Sequence, residues 1–248
     1  MIKFLVLLTA TVTGIGYFVF GQGLWVMLVL LLLTLFTRFN RKTQTFGKFV
    51  EILFLFCLIL FFINQLGIYY PYSLIIVLTC LVILIFFEGP EWRQLYFLPG
   101  DTKNYFKLSL TISIVAVLLY VLWIYFKSSS IPNPVPLHWP IDSLIILGIG
   151  FAIYLSIIEE TIFRSFIFQR AKVVAGTNWA IPIQGIFYGL MHYRTGVPNG
   201  LEGIILGGLF GMGLGYLVKK TSSIYLSMSV HFIVTLVIFV ELSILSMS

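Results

Sequence analysis

Asp142-Ser-Leu-Ile-Ile-Leu-Gly-Ile-Gly-Phe-Ala-Ile-Tyr-Leu-Ser-Ile-Ile-Glu159-Glu160-Thr-Ile-Phe-Arg164 is the stretch on which the reading of this chain turns. An apolar run long enough to enter a bilayer ends in two carboxylates and, one helical turn later, an arginine. A carboxylate in hydrocarbon is costly, so an ionisable residue inside a membrane helix is by default a functional-site candidate. On a helix Glu160 and Arg164 share a face at i, i+4, with the acid first, the better order. Glu159 lies about 100° further round and is free to face something else. The plainer alternative is a charged cluster among lipid headgroups, because Arg170 and Lys172 follow closely. His192 and His231, each inside an apolar segment of its own, weigh against that alternative.

The surrounding chain is membrane-like throughout. Of its 248 residues 60% are hydrophobic and only 10% charged, against about 25% charged in soluble domains. Apolar runs at 4–20, 24–37, 49–66, 71–87, 107–126, 142–164, 178–193, 201–218 and 223–245 approach or reach the length that crosses a core about 30 Å thick. The expected architecture is all-α, a polytopic bundle of nine membrane helices. Eight is the alternative if the first two form a shallow hairpin around Gly21-Gln-Gly23. Residues 1–141 then form the N-terminal transmembrane helices and 142–248 a helical core, integrated in one membrane domain. The N-terminal apolar segment is read as an uncleaved span, since no small-x-small cleavage site follows it. Cys57 and Cys80 lie within apolar runs and read as packing residues.

The net charge of +6 reports orientation and implies no nucleic-acid partner. With the N-terminus cytoplasmic, one side carries Lys3, Arg38, Arg41, Lys42, Lys48, Arg93, Lys103, Lys107, Arg170, Lys172, Lys219 and Lys220. The other carries only Lys127 and Arg194, a twelve-to-two asymmetry of the kind that sets topology. His138 falls in the loop 127–141 with no evident partner.

Helical geometry places the polar residues at comparable depths, provided the 142–164 helix runs on to about Lys172 and turns at Gly176-Thr177. Glu159 and His192 then lie roughly 22–26 Å from that turn on antiparallel helices. His231 and Thr235 lie about 15 and 21 Å from the next turn, near Lys220-Thr221. Gly203, Gly207, Gly211 and Gly215 recur at i+4 and predict a close helix–helix contact.

Such a set supports two chemistries. A buried carboxylate beside a cation is a candidate general base. Glu159, His192 and His231 are alternatively a candidate ligand set for zinc with an open water position. Both lead to an activated water attacking a carbonyl. Ser165 and Ser229 pair with no histidine at helical spacing, and no His-Glu-x-x-His helix is present.

Glu159-Glu160-Thr-Ile-Phe-Arg164 resembles the E-E-x-x-x-R motif of the CPBP family, the CAAX-protease and bacteriocin-processing (Abi) intramembrane proteases. His192 matches the histidine of the second motif and His231 the first residue of the third, His-x-x-x-Asn. The resemblance covers roughly residues 142–240. Tyr188 stands where the family commonly has Phe, and Thr235 where it has Asn. The resemblance implies an intramembrane endopeptidase acting on a membrane-associated peptide or protein, by zinc or by glutamate alone. It implies that Glu159 activates water with His192, that His231 and Thr235 stabilise the oxyanion or position the water, and that Arg164 holds the carboxylate pair with Glu160. A cytoplasmic opening and a role in CAAX-type, pheromone or bacteriocin maturation, in a bacterial cell membrane, are the further expectations. The alternatives are a non-proteolytic scaffold or immunity protein, favoured by Thr235, and a transporter, which would need inverted repeats.

Overall fold

Chains of Leu, Ile, Val and Phe this long satisfy their backbone polar groups in hydrocarbon only by coiling on themselves. The structure, a computed structural model, describes residues 2–38, 43–88, 95–127 and 140–247, and it is built from helices. They are α1 (Ile2–Gly14, extended by a π-helical turn Ile15–Val19), α2 (Gly23–Arg38), α3 (Gln44–Gln65), α4 (Ser73–Glu88) and α5 (Phe106–Lys127). There follow α6 (Ile141–Glu160), a π-helical stretch Thr161–Ile167, α7 (Phe168–Ala175), α8 (Thr177–Thr195), α9 (Gly200–Thr221) and α10 (Tyr225–Met247). His138, Arg41, Lys42 and Arg93 lie outside the described residues.

Each of the nine expected spans is helical, but among the described residues six helices are both long and apolar enough to cross a membrane. The shortfall has a physical cause in each place. Helices α2 and α4 are short, at 16 residues each. Helix α8 contains Pro182 and Gln184 and is wrapped by protein, with Ile183, Gln184, Gly185, Phe187 and Tyr188 all buried. A helix that meets other helices and not lipid has no need of a uniformly apolar surface. The lipid-facing elements show the opposite pattern: Leu32, Phe36, Leu118 and Leu122 are large, apolar and exposed.

The helix carrying the two glutamates continues well beyond Arg164, as the depth argument required. The segment Asp142–Ala175 is one helical run of 34 residues, interrupted only by the π-helical stretch. It stops at Gly176, whose φ of 86° suits a residue without Cβ. All seven residues of the π stretch are buried. Such wide turns occur mostly as short insertions and often at functional sites. Four phenylalanines lock it in place. Phe163 packs on Phe56 of α3 and Phe187 of α8, and Phe18 closes the cluster, with ring centroids 5.7–6.4 Å apart.

Helices α8 and α9 make the most extensive contact in the bundle. The glycine ladder of α9 lies directly against the α8 face that carries Gln184, Tyr188 and His192. A Cβ at Gly207 would sit 3.1 Å from His192 Cγ, one at Gly211 3.1 Å from Tyr188 Cδ1, and one at Gly215 2.5 Å from Gln184 Nε2. The ladder is therefore a packing device with a positional consequence, because it sets where two polar rings stand. Gly207→Leu is expected to cost about 1–3 kcal/mol or more through overpacking and to displace His192. Thermal unfolding in detergent measures it, and unchanged stability would mean that α9 does not press on α8 there.

Candidate active site

Three side chains from three parts of the chain converge on Glu159, which is fully buried. Its Oε1 accepts a hydrogen bond from the Tyr70 hydroxyl at 3.0 Å, and its Oε2 one from the Tyr188 hydroxyl at 2.8 Å. His231 Nε2 stands 3.7 Å from Oε2. Glu160 points elsewhere, as the 100° offset requires: its Oε1 meets His231 Nδ1 at 2.9 Å and Arg164 Nη1 at 3.1 Å. His231 thus bridges the two carboxylates, a link between them that sequence spacing alone did not suggest. Arg164 contacts only Glu160 of the pair, and its guanidinium carbon lies 4.7 Å from the centre of the Tyr188 ring.

His192 is oriented from its own helix. Its Nδ1–H donates to the Tyr188 carbonyl at 3.0 Å, which leaves Nε2 as the nitrogen with a free lone pair. The His192 ring packs at a tilt of 46° against the Tyr188 ring with centroids 4.4 Å apart, so Tyr188 supports both Glu159 and His192. Phe210 of α9 packs edge-on against His231 at 5.5 Å.

A cavity of about 530 Å³ opens over this group. Glu159, Tyr70, Tyr188, His192, His231 and Thr235 all line it, whereas Glu160 and Arg164 do not. The depth-matching of the sequence thus corresponds to one real enclosure, with Glu159 facing the space and Glu160 behind it. The upper walls are apolar, formed by α6 through Phe151 and Leu155 and by α10 through Ile238 and Leu242. The cavity runs toward the ends of α8 and α10 and the turn at Tyr70–Tyr72, away from the lysine-rich end. No residue of the lysine-rich end lines this cavity, where an opening on that side was expected. The reason is packing: the buried π-helical stretch fills the space on that side of Glu159.

Tyr70 is the residue that sequence reading missed. It lies in the turn between α3 and α4, 89 positions from Glu159, and only tertiary packing brings the two together. The one signal in the sequence was the aromatic cluster Tyr69-Tyr70-Pro71-Tyr72 at a loop. Burial and the adjacent Glu159 carboxylate push the Tyr70 phenol well above its ordinary range, so it stays a donor. Ser165 and Ser229 are spent on backbone carbonyls, at 2.7 Å to Leu95 O and 2.9 Å to Tyr225 O, and neither is poised as a nucleophile.

The zinc alternative can be set against this geometry. Among the described residues no three His, Cys, Asp or Glu side chains are grouped so as to hold a metal ion. Glu159 has a phenol on each oxygen and His231 Nδ1 is occupied by Glu160, so the set Glu159, His192 and His231 does not fit a metal as arranged.

Residues 141–237 match the family model described as Rce1-like, type II CAAX prenyl endopeptidase Rce1-like. The match begins with α6 and ends two residues beyond Thr235, so it includes Glu159, Glu160, Arg164, His192, His231 and Thr235 and excludes Tyr70. No curated protein matches the chain, and no solved structure does.

Proposed function

We propose, from the match of residues 141–237 to the Rce1-like family model and the site's geometry, that this chain is an intramembrane endopeptidase of the CPBP kind and cleaves a peptide bond as follows. The carrying observation is a buried carboxylate, Glu159, on the floor of a cavity, held by two phenols and flanked by two imidazoles. In this reading a water sits between Glu159 and the free Nε2 of His192. Glu159 takes a proton from the water as its oxygen attacks the scissile carbonyl. The C–O bond forms, and the oxyanion is met by His231 Nε2–H and the Thr235 hydroxyl. The scheme therefore uses His231 with a proton on each ring nitrogen, Nδ1–H donating to Glu160. As the C–N bond breaks, Glu159 returns its proton to the leaving amine, so the carboxylate is regenerated. Tyr70 and Tyr188 position Glu159, while Glu160 and Arg164 position His231 and Tyr188.

No step of this scheme is routed through a metal. The substrate is a peptide or protein segment associated with the bilayer, in peptide maturation of the pheromone, bacteriocin or CAAX type. A scaffold that binds without cleaving is the second reading. Its support is Thr235, which lines the cavity where the family motif has an amide.

The separating experiment uses the double variant Glu159→Gln, His231→Ala in cells. Under the endopeptidase reading it abolishes the cellular function at normal protein level. A double variant that still supports the function would leave the scaffold as the better reading.

A further inference from the structure

The candidate active site opens at one end of the bundle, and the basic residues gather at the other. Lys3, Lys172 and Lys219 line one surface hollow. Arg38 closes α2, Lys107 begins α5 and Lys220 ends α9 at the same end. The Lys103 loop is tied there too, since Asp101 N–H donates to the Thr221 carbonyl at 2.9 Å. At the opposite end stand Lys127, paired with Glu202 at 3.2 Å, and Arg194, which donates to the Val19 carbonyl at 3.1 Å. Asp142 and Glu241 also belong to that end, so its basic residues are outnumbered by acids. An asymmetry of this size puts the lysine-rich end in the cytoplasm.

The cavity's connections follow the other end. At the end away from the lysines it is lined by the exposed Tyr72 and Val197 and the half-buried Thr195, which we take as its mouth, and along its length by the halves of α6 and α10 that lead away from the lysines. On the lysine-rich side Glu159 is sealed. Ile162, Phe163 and Ile167 of the π-helical stretch are wholly buried, and Ser165 is tied to Leu95 O. A peptide arriving from the cytoplasm would have to unpack that plug and the phenylalanine cluster behind it.

We infer that the site takes its substrate from the non-cytoplasmic face: the substrate is an apolar peptide segment on, or passing out through, the outer leaflet, which among the proposed classes keeps the exported peptides and sets aside the CAAX type, a cytoplasmic protein terminus. The apolar walls suit a segment that stays partly in lipid, while the tyrosine-lined turn Tyr70–Tyr72 and the end of α8 receive its polar backbone. This inference rests on the endopeptidase reading for the word substrate, but the direction of access stands on the fold and the charge asymmetry alone.

Introduced cysteines in a Cys80→Ala background, with the wholly buried Cys57 retained, test it, using a charged, membrane-impermeant maleimide on intact cells. Tyr72→Cys and Val197→Cys probe the mouth at two independent positions, and Asn178→Cys probes the lysine-rich end. The expected result is labelling of both mouth variants from outside, with Asn178→Cys labelled only after permeabilisation. The reverse pattern overturns the inference. In purified protein in lipid, the adduct on Tyr72→Cys should abolish peptide cleavage and that on Asn178→Cys should leave it unchanged. Cleavage that survives the mouth adduct would also overturn the inference, because substrate then enters elsewhere. The two readings fail separately: mouth positions reached only from the cytoplasm defeat the access route while cleavage by the unmodified protein continues. Correct labelling with no cleavage of any peptide defeats the endopeptidase reading, and the word substrate with it.

Discussion

Glu159→Gln is expected to lower cleavage of a cognate peptide at least about 100-fold, the usual scale for loss of a general base. The substitution keeps the size of the side chain and can still accept from the Tyr70 and Tyr188 hydroxyls through its carbonyl oxygen, so the cavity keeps its shape. What is lost is the capacity to take a proton from water. His192→Ala should produce a comparable loss by removing the nitrogen that holds the water. The two together should cost little more than either alone, since groups acting as a unit are strongly non-additive. Glu160→Gln is the control. It faces His231 and Arg164 behind the cavity, and the expected defect is milder. The measurement is conversion by purified protein in lipid, with folding checked by size-exclusion profile. Full activity of Glu159→Gln would remove Glu159 from the role of base.

Arg164→Leu should be the most destabilising single change in the core, at about 3–5 kcal/mol, the scale for breaking a buried ion pair from one side. Arg164 is fully buried, and so is Glu160. Although the two lie 3.1 Å apart, none of the guanidinium nitrogens makes a well-directed hydrogen bond. Charge and the packing on Tyr188 therefore hold the arginine, and its removal leaves Glu160 with His231 and Ser227 as partners but without its neighbouring guanidinium. Adding Glu160→Gln to Arg164→Leu should recover part of the loss, because the uncompensated charge is gone, and the double-mutant cycle measures that coupling. Thermal unfolding in detergent reads both. Equal stability of Arg164→Leu and the parent protein would show that the guanidinium compensates nothing.

Much of this molecule was written in its periodicities. Apolar runs of membrane length dictate helices, because no other local structure satisfies the backbone in lipid. The i, i+4 relation set Glu160 on Arg164, and the 100° offset turned Glu159 away from them. The i+4 glycines dictated a close helix contact, and α8 supplies its partner. Depth counted at 1.5 Å per residue was enough to bring Glu159 level with His192. All of these are properties of one helix or of two joined by a short turn, which is why a linear reading reaches them.

What remained was decided by packing between distant segments. Tyr70 reaches Glu159 from a turn 89 positions earlier, and no helical period connects them. His231 between the two carboxylates depends on how α10 is rotated against α6, which composition leaves open. The π-helical stretch is a local change of winding set by the phenylalanines of three other elements, and by filling the lysine-rich side of Glu159 it determines which end of the cavity is open. Sequence determined the helices, their order and the charged ends. Tertiary structure alone decided which face of each helix meets which neighbour, because rotation and tilt are set by side-chain interlock across the bundle and not by anything within a single span.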